Sequence, residues 1–269
     1  MKPLKLTVVE KISLNQQMQR LVLAHPELDD ARIPEDFGGL HIKLLFKQPH
    51  QSELMLPEPI EGKLHWPPRE LKPLARTYSI SDYNAAKNSI SVDFVKHDPA
   101  GIASEFASQC RIGDQVGLGG PGPMRMANYA ASHYLFVGDL SAVAAIAAAI
   151  KHLPEKADVT VLIELPEQSD ANNIKQLYFA EMNHRLEFIE QRFSPEQTLL
   201  PCIEQLGIAG SHDLWSITLA GEHHTVVSLK KYFLNNGITK DRLYAVPYWR
   251  KDFDEESYHE LRHEAMDAE

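Results

Sequence analysis

The stretch that decides the fold is Leu74-Ala75-Arg76-Thr77-Tyr78-Ser79-Ile80-Ser81. It alternates like a β-strand, with Tyr78 and Ile80 on one side. Arg76 and Ser79 bracket the aromatic residue. A guanidinium takes a pyrophosphate through two parallel hydrogen bonds. A tyrosine offers a flat face and a hydroxyl. A serine hydroxyl can hydrogen-bond a ring nitrogen. Together these three side chains can hold a flavin. An ordinary barrel strand with a surface arginine has the same local pattern, so the rest of the chain has to distinguish the two.

On either side of this stretch the first half reads as strands. Leu4 to Val9 and Met18 to Leu23 alternate, and Leu40 to Phe46 forms a third run. Gln48 to Lys72, rich in proline and charge, reads as a surface loop. Ile90 to Val95 follows a polar hairpin loop at Asn84 to Asn88, and Gln115 to Leu118 completes six strands. Between the last two, Asp98 to Ala107 reads as a helix, with Ile102, Phe106 and Cys110 at helical spacing. Gly101 sits where the backbone turns or closely approaches something. Ser104 lies in the first turn, and a helix N-terminus with free amides and a hydroxyl is a natural phosphate site. A capped surface helix is the plain alternative. Six short strands with one helical insertion predict a small antiparallel barrel.

The pattern changes near Asn128. Tyr134 to Val137 is a buried-type strand ending in Gly138-Asp139, and Ser141 opens a helix through His152. Further strands are expected at Asp158 to Leu165, Leu186 to Glu190, Leu214 to Leu219 and Leu243 to Val246, with a helix between Glu222 and Asn236. Strands alternating with helices predict a doubly wound parallel sheet. Such sheets bind ligands beyond the carboxyl ends of their strands, where Gly138, Asp139, Ser141, Gly221 and Glu222 fall. No complete G-x-G-x-x-G is present. The expected domains are 1–126, a barrel; 127–249, the α/β domain; and 250–269, a helical tail.

The 269 residues suit two domains, and a net charge of −10 argues against nonspecific nucleic-acid binding. Two cysteines, Cys110 and Cys202, cannot ligate an iron–sulfur cluster within one chain, and they fit a reducing cytosol. Met1 to Thr7 lacks the apolar stretch of a signal peptide, and the apolar run from Ala142 to Ile150 is too short to span a membrane. The expected setting is therefore cytoplasmic, with neither nucleic acid nor membrane as partner. The thirteen histidines are scattered; His223-His224 is a metal pair by residue type only.

Several stretches, in order, resemble the siderophore-interacting proteins, FAD-dependent ferric-siderophore reductases of the ferredoxin–NAD(P)H reductase superfamily. They are Arg76-Thr77-Tyr78-Ser79, Val92-Asp93-Phe94-Val95-Lys96-His97, Gly101-Ile102-Ala103-Ser104, Gly113-Asp114-Gln115-Val116 with Gly119-Gly120-Pro121-Gly122, Val137-Gly138-Asp139, Ala220-Gly221-Glu222 and Tyr248-Trp249-Arg250. Leu140-Ser141 stands where the family usually has Glu-Thr, and Pro247 where it usually has glycine.

The resemblance implies that Arg76 binds the FAD pyrophosphate, that Tyr78 packs on the isoalloxazine and that Ser79, beside Thr77, approaches its polar edge. It implies that Asp93, Phe94, Val95 and His97 line the ring and ribityl chain, partly through backbone groups, and that Gly101, Ile102, Ala103 and Ser104 hold the phosphates. His97 is alternatively a structural histidine. Gly138, Asp139, Ser141, Gly221 and Glu222 are the candidates for NADH or NADPH. Glu164 ends a strand where a ribose could sit, and an acid there disfavours a 2′-phosphate, whereas Lys175 or Arg192 could bind one.

The flavin carries the hard step, so no protein acid or base is expected to be catalytic. Any ferredoxin donor would be a separate protein. A general flavin reductase, or a non-enzymatic siderophore-binding protein, is the alternative. In the tail, Asp254 can cap a helix whose Tyr258, Leu261 and Ala265 face the protein. His259, Arg262 and His263 then share a face, which suits an anionic ferric siderophore unless they merely pair with Glu255, Glu256 and Glu260. Arg250 and Lys251, with Lys43 and Arg125 from the barrel, complete the candidate substrate cations.

Overall fold

The computed structural model describes residues 2–29, 33, 40–97, 100–122, 128, 130–166, 171–182, 184–190, 195–208, 211–251, 253 and 258. The chain forms two compact units, Met1–Met124 and Arg125–Glu269.

In the first unit, alternation in sequence becomes a closed barrel. Its strands are β1 (Leu4–Ser13), β2 (Met18–Ala24), β3 (His41–Phe46), β6 (Leu74–Asn84), β7 (Ser89–Val95) and β8 (Gln115–Gly122). They pair antiparallel in the order β1-β2-β7-β6-β3-β8, so the six-stranded barrel is as expected. Leu4, Leu6 and Val8 alternate with more exposed neighbours along β1, and Ile42, Leu44 and Phe46 share one phase on β3, where Leu45 between them is buried as well; the first six join one core. Helix α1 (Ile102–Gln109) closes that core with Ala103 and Ala107, and Phe106 meets Phe46 edge to face at 5.4 Å.

The segment Gln48 to Lys72 is more than a surface loop. It carries a hairpin of two short strands, β4 (Glu58–Ile60) and β5 (Lys63–His65). Glu61 and Gly62 both take positive φ, the two-residue turn that matches strand twist. The base of the segment is closed by side chains: Gln48 Nε2 donates to the Lys72 carbonyl at 2.9 Å and Gln51 Nε2 to the Leu71 carbonyl at 3.1 Å. Leu54 is buried, and Leu56 lies so close over Gly117 that a Cβ there would sit 2.4 Å from Leu56 Cδ2. The polar composition hid these two apolar anchors.

In the second unit, β9 (His133–Asp139), β10 (Asp158–Leu165), β11 (Arg185–Glu190), β12 (Trp215–Glu222) and β13 (Leu243–Trp249) form a parallel sheet in the order β11-β10-β9-β12-β13. The helices are α2 (Val143–Ile150), α3 (Ala171–Tyr178), α4 (Pro195–Thr198), α5 (Leu200–Glu204) and α6 (His223–Asn235). Leu135, Val137, Leu162, Ile217 and Leu219 pack against Ile203 of α5 and Val226, Leu229 and Phe233 of α6. Gly138, one residue out of phase, looks the other way: a Cβ there would strike Ile146 of α2. Both faces are therefore covered, which explains the nearly continuous apolar run of β10. Strand order reverses between β9 and β12, which places the ligand crevice of such sheets at their carboxyl ends.

Helix α2 starts at Val143, not Ser141, and has no side-chain cap. Among the described residues, no helix is long and apolar enough to cross a membrane.

Candidate functional site

The barrel rim comes first. On β6, Arg76, Tyr78 and Ile80 share one phase. Ile80 is fully buried, whereas residues 74–79 are only half-buried, so the strand rises out of the core at Tyr78. The Tyr78 ring rests on Phe94 of β7, with centroids 4.5 Å apart and planes at 44°. Where these residues sit, the β6–β7 ladder has already ended, its last pair being Ile80 with Val92. The strands part there, and Tyr78 and Ser79 stand on one side with Asp93 to Val95 on the other.

Two expected ring-lining side chains are engaged elsewhere. Phe94 is 0 % exposed, so its ring is core and supports Tyr78 from behind. Asp93 lies opposite Arg20 on β2, which grips its carboxylate through Nε at 2.6 Å and Nη2 at 2.8 Å. The side chains of both are thus occupied within the barrel. Val95 is half-buried on the same phase as Asp93.

At the α1 end, Gly101 is the N-cap and supplies no side-chain bond to the first turn. A Cβ on it would lie 3.6 Å from His97 Cε1, so the imidazole stands beside that helix end. The amides of Ile102, Ala103 and Ser104 open the helix there. Phe46, which touches Phe106 of α1, is the cross-strand partner of Leu74, two residues from Arg76. The Arg76 Nη1 donates to the Ala75 carbonyl at 2.7 Å.

On the opposite phase, Lys43 Nζ donates to Thr77 Oγ1. Sequence reasoning missed His41, the cross-strand partner of both Ser79 and Gly122. Its ring covers Gly122, where a Cβ would sit 2.2 Å from His41 Nε2. A lone histidine in an alternating strand gives no such signal.

At the carboxyl ends of the sheet, Ser141, Gly221 and Glu222 gather in a knot around Asp139, whereas Gly138 packs toward Ile146 of α2. Oδ1 accepts from the Ser141 amide at 2.8 Å and its hydroxyl at 2.5 Å. Oδ2 accepts from the Glu222 amide at 2.9 Å and from Trp249 Nε1 at 2.8 Å. Gly221, at φ +141°, makes room: a Cβ there would fall 2.6 Å from Oδ2. Burial pushes the Asp139 carboxyl above its ordinary value, and the bonds from Ser141, Trp249 and Glu222 oppose that rise. Glu222 caps α6, accepting from the amides of His224 at 2.5 Å and Thr225 at 3.1 Å.

Glu164, the acid expected near a ribose, is held inside the second unit. It is 4 % exposed, and its oxygens accept from Thr198 at 2.9 Å and Thr225 at 3.3 Å. Burial raises its pKa, the Thr198 bond lowers it, and the neighbouring Asp139 charge raises it further. Lys175 is exposed on α3, and Arg192 lies outside the described residues.

Of the candidate substrate cations, Arg250 is half-buried with its guanidinium 4.4 Å from the Phe253 ring centre, and Lys251 is exposed. Tyr258, 2 % exposed, meets His223 Nδ1 at 2.7 Å through its hydroxyl. Burial and then Arg250 push the His223 pKa down. His259, Arg262, His263 and Arg125 lie outside the described residues. Among those described, no group of three or more His, Cys, Asp or Glu residues could hold a metal ion.

Residues 7–124 match the siderophore-interacting FAD-binding domain, and residues 131–252 match the siderophore-interacting protein model. The chain is also 32 % identical over 268 residues to the ferric vibriobactin reductase ViuB of Vibrio cholerae, covering 99 % of this chain and 96 % of that one. The chain belongs to the siderophore-interacting protein family.

Two other family resemblances differ in kind. The crystal structure of the siderophore-interacting protein SipS from Aeromonas hydrophila superposes with a TM-score of 0.81 at 32 % identity, covering 99 % of each chain. The NADPH-dependent ferric-chelate reductase of Escherichia coli is 27 % identical over 251 residues, 91 % of this chain and 92 % of that one. The family expected from Arg76-Thr77-Tyr78-Ser79 and its companion stretches is therefore the family found.

Proposed function

We propose that this chain is an FAD-dependent reductase of ferric siderophores that draws electrons from NADH or NADPH and releases Fe(II) in the cytoplasm. The observation that carries this reading is the barrel rim. Tyr78 is braced on Phe94 where the β6–β7 ladder opens, in a unit matched by a siderophore-interacting FAD-binding domain.

The residues fit FAD by their chemistry. The α1 N-terminus lacks a side-chain cap, so its amides suit a phosphate, whereas the α6 N-terminus already holds the Glu222 carboxylate. Arg76 supplies a planar fork for the pyrophosphate. Tyr78 offers the ring a flat face, Ser79 and Thr77 hydroxyls, and Asp93, Phe94 and Val95 backbone groups. His97 and Gly101 border the phosphate end, with Ile102, Ala103 and Ser104 as its amide donors. When bound, FAD supplies the conversion between two-electron donors and one-electron reduction of iron.

The substrate is Fe(III) held by hard oxygen donors, and reduction to Fe(II) weakens that hold. Arg250, Lys251, His259, Arg262 and His263, with Lys43 and Arg125, are the cations we assign to an anionic siderophore, since local positive charge concentrates such a ligand near an otherwise acidic protein. The nicotinamide donor is assigned to the crevice built by Gly138, Asp139, Ser141, Gly221 and Glu222. A ferredoxin acting as donor would be a separate protein. Cys110 and Cys202 are free thiols, which suits a reducing compartment.

Purified protein should be yellow, and NADH or NADPH should bleach it without oxygen. A ferric siderophore should then restore the colour and release iron to a ferrous-specific chelator. Colourless protein that takes up no added FAD rejects the reading in favour of a siderophore-binding protein. Bleaching with no reoxidation by the siderophore leaves a general flavin reductase.

A further inference from the structure

Trp249 ends β13 with its indole 40 % exposed, yet its N–H is fixed to Asp139, a carboxylate that burial penalises. The two residues are not on neighbouring strands. Trp249 lies beside Glu222 of β12, and Asp139 belongs to β9 on the far side of β12. The Asp139 carboxylate reaches over Gly221 of β12, where any side chain would collide with it, and the indole comes from the β13 side to meet it at the end of β12. The indole N–H is thus fixed beside the strand-order reversal, where sheets of this kind bind ligands.

We propose that Trp249 is a stacking subsite for the nicotinamide ring, and that Asp139 is the positioning residue that holds it flat; this rests on the nicotinamide-donor reading above. Giving its N–H to a carboxylate makes the indole richer in electrons, and an electron-rich face attracts the electron-poor pyridinium of the oxidised dinucleotide. The plainer role for the bond is to tie the ends of β9 and β13 together. That role predicts a change in stability and none in dinucleotide affinity.

The test uses FAD-loaded full-length protein in which the tryptophans Trp66, Trp215 and Trp249 carry 5-fluorotryptophan. The resonance missing from Trp249→Phe identifies Trp249. NAD⁺ and NADP⁺ are added while calorimetry follows binding. The expected result is that the Trp249 resonance moves with saturation. Loss of the indole face in Trp249→Ala should weaken binding about tenfold, in line with one ring stack. Trp249→Phe, which keeps a ring, should lose less. Asp139→Asn should broaden the Trp249 resonance and weaken binding, with FAD content unchanged. Binding heat with an unmoved Trp249 resonance overturns the subsite and leaves the donor reading intact. Unweakened binding in Trp249→Ala does the same. No binding heat, together with no bleaching by NADH or NADPH, overturns the donor reading and the subsite with it.

Discussion

Replacing Arg76 with alanine should separate cofactor binding from folding. Arg76 is half-buried at the rim, and one of its bonds, at 2.7 Å, goes to the carbonyl of the adjacent Ala75. Losing it should cost at most about 1 kcal/mol of stability, as for other substitutions outside a tight core. Its value to FAD is larger. A hydrogen bond to a charged group contributes roughly 1.5–3 kcal/mol, and a guanidinium can make two to a pyrophosphate. The α1 amides would retain part of the phosphate binding, so a net loss of about 3 kcal/mol is expected, roughly a hundredfold in Kd. Flavin absorption per protein after gel filtration, and titration of the apoprotein with FAD, read this directly. Arg76→Lys keeps the charge without the fork and should fall between the two. Full flavin occupancy and an unchanged Kd in folded Arg76→Ala would refute the reasoning.

Three further outcomes follow from the second unit. Glu164 is an acid whose folded pKa is raised, so its ionisation costs stability as pH rises from the unfolded value through the folded one. Glu164→Gln should therefore raise the Tm at neutral pH, and the gain should vanish in acid; a gain that grows in acid contradicts this sign. Gly221→Ala should lower stability by about 1–3 kcal/mol, from positive φ and collision with Asp139, and a Tm within a degree of the parent counts against the knot. Arg250→Gln with Lys251→Gln should raise the KM for an anionic ferric siderophore about fivefold at low salt and much less at high salt. Bleaching by NADH or NADPH should be unaffected, and a KM that does not change at low salt removes these two cations from the substrate site.

The barrel was legible because its strands alternate against one core: Leu4, Leu6 and Val8 announce β1 as clearly as Tyr78 and Ile80 announce β6. The extra length of β8 and β13 was hidden by residues that usually break strands. Pro121 is tolerated because β1 pairs with β8 only as far as Leu118. Pro247 is tolerated because β13 is the edge of its sheet. The rim residues of β6 carry chemistry that suits a flavin, but their pattern is shared with ordinary barrel strands, and the support Phe94 gives to Tyr78 is a contact between strands with no local signature. The Asp139 knot joins Trp249 across 110 positions, a separation no periodicity reports. That Glu222 also caps α6 had no signal in the sequence, since this role is more often taken by shorter polar side chains.

The central claim is that electrons stored on this protein reduce siderophore-bound iron. Protein reduced without oxygen by one equivalent of NADPH or NADH, freed of excess donor and mixed rapidly with a ferric siderophore and a ferrous-specific chelator, tests it most directly. The account predicts that flavin absorption returns at the rate at which the ferrous complex appears, with one ferrous ion for each electron delivered. Flavin that stays reduced beside intact ferric siderophore, and regains its colour only when oxygen is admitted, would contradict it.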